Sequence, residues 1–426
     1  MGIIIKQGNV WYRNRWIQRD ILIEGELIQE IKEEIIPKME DQIVYASGKI
    51  VVPGFIDVHV HLREPGYEEK ETIKTGAKAA VKGGFTTIAS MPNTKPVIDQ
   101  AELITYVLTK SEQAGFAKVL AIGAITKEQE GQKLADLFGM KEKGAVGFSD
   151  DGRGVKSSGL MKQAMEIAKT LGVPILAHCE DIDLTNGGVI HDGRMAKELG
   201  VPGIPAEAEY IQLARDLILA EITGVHYHVC HVSSKRSVEL IREAKARGVN
   251  VTAEVTPHHL VLTEDDLKEP YAQFKMNPPL RTEEDRQALI KGLKDGTIDM
   301  IATDHAPHTE QEKGKGLLEA PFGIVGLEIA FPLLFTNLVK HHLISLEQLI
   351  DSLTIKPASL FGLNLGKIEK GSIADITIID LEKIQSVDPT QFASKGKNTP
   401  FVGWKLQGWP IMTIVNGKIV WEEKEE

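Results

Sequence analysis

Short apolar runs, separated by amphipathic stretches, dominate the middle of the chain. Eight such runs are bounded by glycine, proline or polar residues, which is the pattern of short buried strands. Between them, apolar residues recur at helical spacing, most clearly over residues 162–171 and 237–247, and a glycine closes each of these two predicted helices. The eight predicted strands are Phe55–His61, Thr86–Ser90, Lys118–Ala124, Gly144–Ser149, Val173–His178, Val225–His231, Asn250–Val255 and Asp299–Asp304.

Strands that alternate with helices over this length predict an α/β protein built on a (β/α)8 TIM barrel, and we assign residues 54–365 to it. A doubly wound parallel sheet is the structural alternative. The chain ends differ from the middle, because they alternate apolar and polar residues as hairpins do, with a turn signal at Asn416-Gly417. Neither end can bury a core alone. We therefore expect residues 1–53 and 366–426 to form one small β-sandwich domain together.

Composition and charge exclude several classes of protein. With 426 residues, 42% of them hydrophobic, the chain is an ordinary globular protein. Its net charge of −11 argues against nucleic acid or an anionic membrane as partner, and an anionic substrate would need local positive charge. The apolar stretch 320–339 contains Glu328 and two prolines, so a buried helix explains it better than a membrane span. Two cysteines and the lack of a visible signal peptide predict the cytoplasm.

The candidate chemistry lies where predicted strands end. His59 and His61 are two positions apart, so on a strand both imidazoles face one side, at the end where barrel enzymes build their sites. Two polar residues at a strand edge are the simpler interpretation, but a buried imidazole pair is costly without a shared partner such as a metal ion. His178, His231 and Asp304 end three further strands, and this donor set suits zinc.

Strand alternation makes a prediction for the neighbouring residues as well. If His231 faces the barrel interior, then His226, His228 and Cys230 point away from it, and Cys179 does the same beside His178. We interpret the two cysteines as buried apolar residues rather than metal ligands.

Two longer motifs contain these residues. Asp57–Pro65 (Asp-Val-His-Val-His-Leu-Arg-Glu-Pro) and Ala302–Lys313 (Ala-Thr-Asp-His-Ala-Pro-His-Thr-Glu-Gln-Glu-Lys) resemble the two dihydroorotase signatures. The ligands at the strand ends resemble those of the amidohydrolase superfamily. The resemblance covers essentially the whole chain, including Lys395–Asn398, and is closest to the long bacterial class I dihydroorotases.

This resemblance implies a centre with one or two Zn²⁺ per subunit. His59, His61 and Asp304 would hold one metal, and His178 and His231 the other. Many members of the superfamily bridge two metals with a carbamylated lysine on strand four, but residues 144–149 contain no lysine.

In class I dihydroorotases an aspartate follows that strand, so Asp151 is the candidate bridge here. Asp150 is the nearest rival, and a plain Asp-Asp-Gly turn is the alternative interpretation. Lys141 and Lys143 precede the strand, and we do not expect either to be carbamylated.

The resemblance further implies reversible cyclisation of N-carbamoyl-L-aspartate to L-dihydroorotate in de novo pyrimidine (UMP) biosynthesis. A metal-bound hydroxide would be the nucleophile, and Asp304 the general acid and base. Arg63 could bind the substrate carboxylate in a bidentate contact, although an ion pair with Glu64 or Glu68 is the alternative; Asn93 could equally be a turn residue. The predicted substrate contacts are His61, Arg63, Asn93, Asn277, His308, Phe322 and Gly323.

Three rival functions stay open at this point. The chain could be another cyclic amidohydrolase, such as a hydantoinase or allantoinase. It could be a non-catalytic assembly partner of aspartate transcarbamoylase, or an unrelated barrel with a structural metal. For an enzyme we expect a homodimer, with aspartate transcarbamoylase as a candidate partner.

Overall fold

A computed structural model describes residues 2–423 of the protein. The strands are β1 (Ile3–Tyr12), β2 (Arg15–Glu24), β3 (Leu27–Lys32), β4 (Gln42–Tyr45), β5 (Ile50–Pro53), β6 (Phe55–Val60), β7 (Phe85–Ser90), β8 (Lys118–Gly123), β9 (Gly147–Phe148), β10 (Ile175–Ala177), β11 (Ile190–His191), β12 (Gly203–Ile204), β13 (Tyr227–Val229), β14 (Val251–Val255), β15 (Met300–Ile301), β16 (Ile376–Ser386), β17 (Lys405–Val415) and β18 (Lys418–Glu422). The α-helices are α1 (Ile73–Lys82), α2 (Ala101–Ala114), α3 (Leu137–Glu142), α4 (Ser158–Leu171), α5 (Arg194–Leu199), α6 (Glu207–Thr223), α7 (Lys235–Ala246), α8 (Pro257–Val261), α9 (Glu283–Asp295), α10 (Glu310–Lys313), α11 (Gly316–Glu319), α12 (Ala330–Leu334), α13 (Leu346–Leu353) and α14 (Ile355–Leu360).

Eight parallel strands form the barrel and confirm the predicted fold. Their order is β6-β7-β8-β9-β10-β13-β14-β15, so each strand pairs with the next one along the barrel. The ring is closed by a parallel bridge between Val60 and His305, and the His61 amide donates a 2.9 Å hydrogen bond to the His305 carbonyl. All eight predicted strands are present; seven are shorter than predicted, and β7 begins one residue earlier, at Phe85.

The predicted helices follow the local signals of the sequence. Helix α4 begins after Ser157, whose side chain accepts from the Leu160 amide, and it ends at Gly172 in the left-handed region. Helix α7 begins after Ser234, which caps the Ser237 amide in the same way. Along each barrel strand, alternate side chains point into two different cores. One core lies between the strands and the helices, and the other lies inside the barrel. The inner cluster contains Val58, Ala89, Ile122, Leu176, Cys230, Met300 and Ala302.

The strands of the two chain ends join in a second sheet, as expected. β16 pairs antiparallel with β5, which links the C-terminal strands to the N-terminal ones. All eight strands of this region are connected by hydrogen bonds in one sheet that branches at β1. Ile5, Ile21, Ile376 and Ile414 are buried in its core. The exact boundaries 53/54 and 365/366 stay predictions. Within residues 2–423, none of the helices is both long and apolar enough to cross a membrane.

Candidate active site

Two pairs of histidines face each other at the carboxyl end of the barrel strands, and Asp151 lies between them. His59 Nε2 is 3.3 Å from Asp151 Oδ1, and His61 Nε2 is 3.4 Å from Asp151 Oδ2. On the other side, His231 Nε2 and His178 Nδ1 lie 3.5 and 3.7 Å from Asp151 Oδ1. The strand ends thus bring together residues that are up to 172 positions apart in sequence, because parallel barrel strands end at one rim.

Asp304 completes the cluster from the strand that closes the barrel. Its Oδ1 lies 3.0 Å from His61 Nε2 and 3.5 Å from His59 Nε2. Burial raises the pKa of Asp304, but the charges of His59 and His61 outweigh this effect and lower it overall. The same balance holds the pKa of Asp151 well below its usual range. Both carboxylates are therefore ionised at neutral pH.

The donor atoms of this cluster fit a divalent metal ion. The ligand atoms of His59, His61 and Asp151 all lie within 4.8 Å of one another, and so do those of Asp151, His178 and His231. His59 Nε2 and Asp151 Oδ1 are buried and have no hydrogen-bond partner among the described residues, although burying such atoms unpaired is costly. Imidazole and carboxylate together are ligands that zinc accepts well.

The structure separates the two neighbouring aspartates. Asp150 Oδ1 accepts hydrogen bonds from the backbone amides of Ile125 (2.8 Å) and Thr126 (3.0 Å), and its Oδ2 accepts one from the Thr126 hydroxyl. It therefore anchors the chain that follows β8, whereas Asp151 faces the histidines. Lys141 lies on α3 and lines a cavity at the opposite end of the barrel, away from the cluster.

A pocket of about 160 Å³ opens directly above the cluster, and Arg63 forms part of its wall. Arg63 is 9% exposed, and its Nε donates a 3.1 Å hydrogen bond to the Pro307 carbonyl. Among the ion pairs of residues 2–423 none involves Arg63, and Glu64 pairs with Lys110 instead. The pocket is lined by His61, Arg63, Asn93, Asp151, Gly152, His178, His231, Asn277, Asp304, Ala306, His308, Phe322 and Gly323.

The remaining predicted substrate contacts are oriented by neighbours in this pocket. Asn93 Oδ1 lies 2.8 Å from His61 Nδ1, so Asn93 is more than a turn residue. Asn277 Nδ2 donates a 3.0 Å hydrogen bond to Glu180. His308 Nε2 lies 2.8 Å from the Phe322 carbonyl, and burial together with the charge of Arg63 lowers the pKa of His308. His308 is therefore neutral, and its Nε2 also lies 3.2 Å from Arg63 Nη2.

Sequence reasoning missed the acidic residues that support the cluster. Glu254 on β14 is fully buried, and its Oε1 lies 2.7 Å from His59 Nδ1. Burial raises the pKa of Glu254, but His59 and His228 outweigh this and lower it overall. Asp57 accepts hydrogen bonds from the His59 amide (3.0 Å) and from the Thr303 amide. A charged residue inside an apolar strand is the signal that could have identified both.

Three predictions of side-chain direction were wrong, those for His226, His228 and Cys230. Cys230 packs inside the barrel, and His228 is fully buried there, with its Nε2 2.9 Å from Glu254 Oε2. The reason is that β13 ends at Val229, and His231 has a φ of 32°, which ends the alternation of a strand. His226 also lies on this interior face, at the opposite end of the barrel. Cys179 packs in the outer core as predicted.

Comparisons with known proteins decide the family. A family model described as dihydro-orotase-like matches residues 48–237, and one described as an amidohydrolase family matches residues 334–421. A dihydroorotase of Geobacillus sp. (strain WCH70) is 54% identical over 100% of both chains. One of Brevibacillus brevis is 55% identical over 99% of this chain and 100% of its own. The chain belongs to the dihydroorotase family. As such it is a metal-dependent cyclic amidohydrolase.

Solved structures of other cyclic amidohydrolases share the fold of this dihydroorotase family member. An L-hydantoinase (dihydropyrimidinase) from Arthrobacter aurescens matches with a TM-score of 0.88 and 29% identity, over 99% of this chain and 96% of its own. A dihydropyrimidinase from Brevibacillus agri NCHU1002 matches with a TM-score of 0.85 and 25% identity, over 100% and 96%. The expectation of an enzyme, rather than of a non-catalytic partner, is confirmed by the dihydroorotase relatives.

Proposed function

We propose that this dihydroorotase uses the pocket above the histidine cluster to interconvert N-carbamoyl-L-aspartate and L-dihydroorotate. The observation that carries the assignment of the pocket is Arg63. A buried guanidinium without a carboxylate partner lies in the same cavity as Asp304 and the histidines. Burying an unpaired charge is costly, so the site is built for an anionic ligand. Both substrates carry a carboxylate that Arg63 can bind through two hydrogen bonds.

We assign one or two zinc ions to this centre, because zinc accepts imidazole and carboxylate ligands well. The ligands would be His59, His61, Asp151, His178, His231 and Asp304. Zinc held there would supply an activated water molecule and a polarised amide carbonyl at neutral pH. Asp304 is ionised and lies on the rim of the pocket, so its carboxylate can take a proton from the attacking water. In ring opening Asp304 then delivers this proton to the departing ring nitrogen. In ring closure it removes a proton from the carbamoyl nitrogen as this atom attacks the side-chain carboxylate, and it returns the proton to the departing oxygen, which leaves as water.

The walls of the pocket orient the substrate for this proton transfer. Arg63, Asn93 and His308 line the cavity, where they can bind the carboxylate. Asn277 and the backbone of Phe322 and Gly323 line the same cavity and can contact the ring. Fixing the carboxylate therefore fixes the position of the amide relative to Asp304.

The second candidate function is that of a hydantoinase, because the matching solved structures carry that name. Sequence identity argues against a hydantoinase, since the chain is 54% identical to a dihydroorotase and 29% identical to the L-hydantoinase. Hydantoin and allantoin also lack the carboxylate for which a buried Arg63 is suited. Zinc as the metal, a cytoplasmic location, the homodimer and aspartate transcarbamoylase as a partner stay predictions.

A substrate panel on metal-loaded and chelator-treated protein tests this proposal. We expect turnover of L-dihydroorotate and N-carbamoyl-L-aspartate but not of hydantoin or allantoin. Chelation should abolish the turnover, and added zinc or cobalt should restore it, because the histidine cluster then regains its metal. Turnover of hydantoin or allantoin would overturn the substrate assignment. Activity that persists after the metal is removed, as shown by elemental analysis, would overturn the metal centre.

Replacing Arg63 by methionine should lower kcat/KM for L-dihydroorotate by about 10²-fold, mainly through KM, because two charge-assisted hydrogen bonds to the carboxylate are lost. Arg63→Lys should recover only part of this loss, since lysine cannot form the bidentate contact. Lys95→Met is the matched control, because Lys95 lines the outer mouth of the pocket but not the cavity above the cluster. Steady-state kinetics measure all three variants. Equal kinetics for Arg63→Met and the control would remove Arg63 from the substrate site.

A further inference from the structure

A chain of hydrogen bonds runs through the barrel interior beneath the histidine cluster, and Glu254 is its centre. Glu254 Oε1 accepts from His59 Nδ1 (2.7 Å) and from the backbone amide of His231 (3.1 Å). Its Oε2 lies 2.9 Å from His228 Nε2, and His228 Nδ1 lies 2.8 Å from Thr252 Oγ1. His59, His228 and Glu254 are each fully buried. One carboxylate is thus tied to both halves of the cluster.

The chemistry of these groups determines which atom donates in each bond. A carboxylate accepts and does not donate, so both His59 Nδ1 and His228 Nε2 carry a hydrogen. With a hydrogen on Nε2, His228 can accept at Nδ1, and the Thr252 hydroxyl can donate to it. The same hydroxyl oxygen can accept from His226 Nε2, which lies 2.9 Å away. Every member of the chain is satisfied in this one arrangement.

The consequence falls on the other nitrogen of His59. In the neutral imidazole that binds a metal ion, a hydrogen on Nδ1 leaves the lone pair on Nε2, and Nε2 faces Asp151 Oδ1 at 3.3 Å without a hydrogen-bond partner among the described residues. We propose that Glu254, held by His228 and Thr252, is a positioning residue that fixes the Nδ1–H tautomer of His59 and thereby sets the metal affinity of the centre. Hydrogen bonds of this kind to a ligating histidine orient the ring and raise its basicity.

Glu254→Gln tests the proposal without any substrate. The glutamine amide keeps the shape of the side chain but cannot accept from both imidazoles, so we expect zinc to be bound about 10- to 100-fold more weakly. Bound zinc is measured by elemental analysis of folded protein equilibrated with a graded series of chelator concentrations. Glu328→Gln is the matched control, because Glu328 is also buried and accepts from the amides of Ala393 and Ser394, near α1. Zinc retention equal to wild type in Glu254→Gln would overturn the proposal.

A second pair of variants separates positioning from packing and decides the matter if Glu254→Gln does not fold. His228→Leu fills the space but removes the donor to Glu254, and should weaken zinc binding about tenfold. His228→Gln can place an amide N–H near the Nε2 position, and should recover most of that loss. Equal zinc affinity in the two variants would mean that His228 only fills space. This result would contradict the proposed role of the hydrogen bond from His228 to Glu254. Nitrogen-15 spectra of the zinc-loaded wild type should also show the hydrogen of His59 on Nδ1; a hydrogen on Nε2 would contradict the proposal directly.

Discussion

Asp304→Asn should lower turnover by about 10³-fold in both directions of the reaction, since an amide cannot take up and return the proton that the reaction moves. Asparagine keeps an oxygen that can remain near His61, where Asp304 Oδ1 lies 3.0 Å from Nε2, so the fold and most of the bound metal should be retained. The largest effect should therefore fall on kcat, with a smaller one on KM. Steady-state assays with L-dihydroorotate and with N-carbamoyl-L-aspartate measure it.

The zinc content of the same samples distinguishes lost proton transfer from lost metal. Turnover is compared per bound zinc, so a partial loss of metal does not mimic the expected effect. Asp299→Asn is the control, because Asp299 lies just before β15, at the opposite end from Asp304, and pairs with Lys245. We expect near wild-type turnover there. Turnover within tenfold of wild type per bound zinc in Asp304→Asn would assign the proton transfer to another group.

The fold and the main cluster could be predicted because simple periodicities specify them. Each barrel strand is a short buried run, and parallel strands of a closed barrel end at one rim, so a polar residue after a buried run can be placed without coordinates. His59, His178 and Asp304 were located in this way, and the structure brings them to one cluster. Seven of the eight observed strands are shorter than predicted, because their polar ends curve into the loops.

The same pattern could not predict the left-handed backbone conformations or the contacts between residues that are distant in sequence. Arg63, His231 and Asp304 have φ values of 62°, 32° and 48°, and a strand pattern does not contain such left-handed residues. The alternation rule was carried through His231 and therefore placed His228 and Cys230 on the wrong face. Glu254 was missed for another reason, since its partner His59 lies 195 positions away in sequence. Only the closed barrel shows that the Glu254 carboxylate contacts histidines of two other strands.

Asp151→Asn should remove at least one of two bound zinc equivalents and lower turnover by about 10³-fold. Among the carboxylates of residues 2–423, Asp151 alone lies within 4 Å of all four histidines of the cluster, so both halves of the centre depend on it. Its negative charge also offsets the positive charge of bound metal, which an amide cannot do. Elemental analysis and turnover assays of the same preparation measure the two effects together.

Asp150→Asn is an unusually close control, because the same substitution is made one residue earlier. Asp150 accepts two backbone amides and one hydroxyl in the loop after β8, so its replacement should lower the melting temperature while zinc content stays at the wild-type value. The two variants thus separate a bridging role from the stability of the Asp-Asp-Gly turn. Full zinc occupancy in Asp151→Asn would show that another group joins the two halves of the centre. Zinc loss in both variants would mean that the conformation of this turn, and not the Asp151 carboxylate alone, holds the metal.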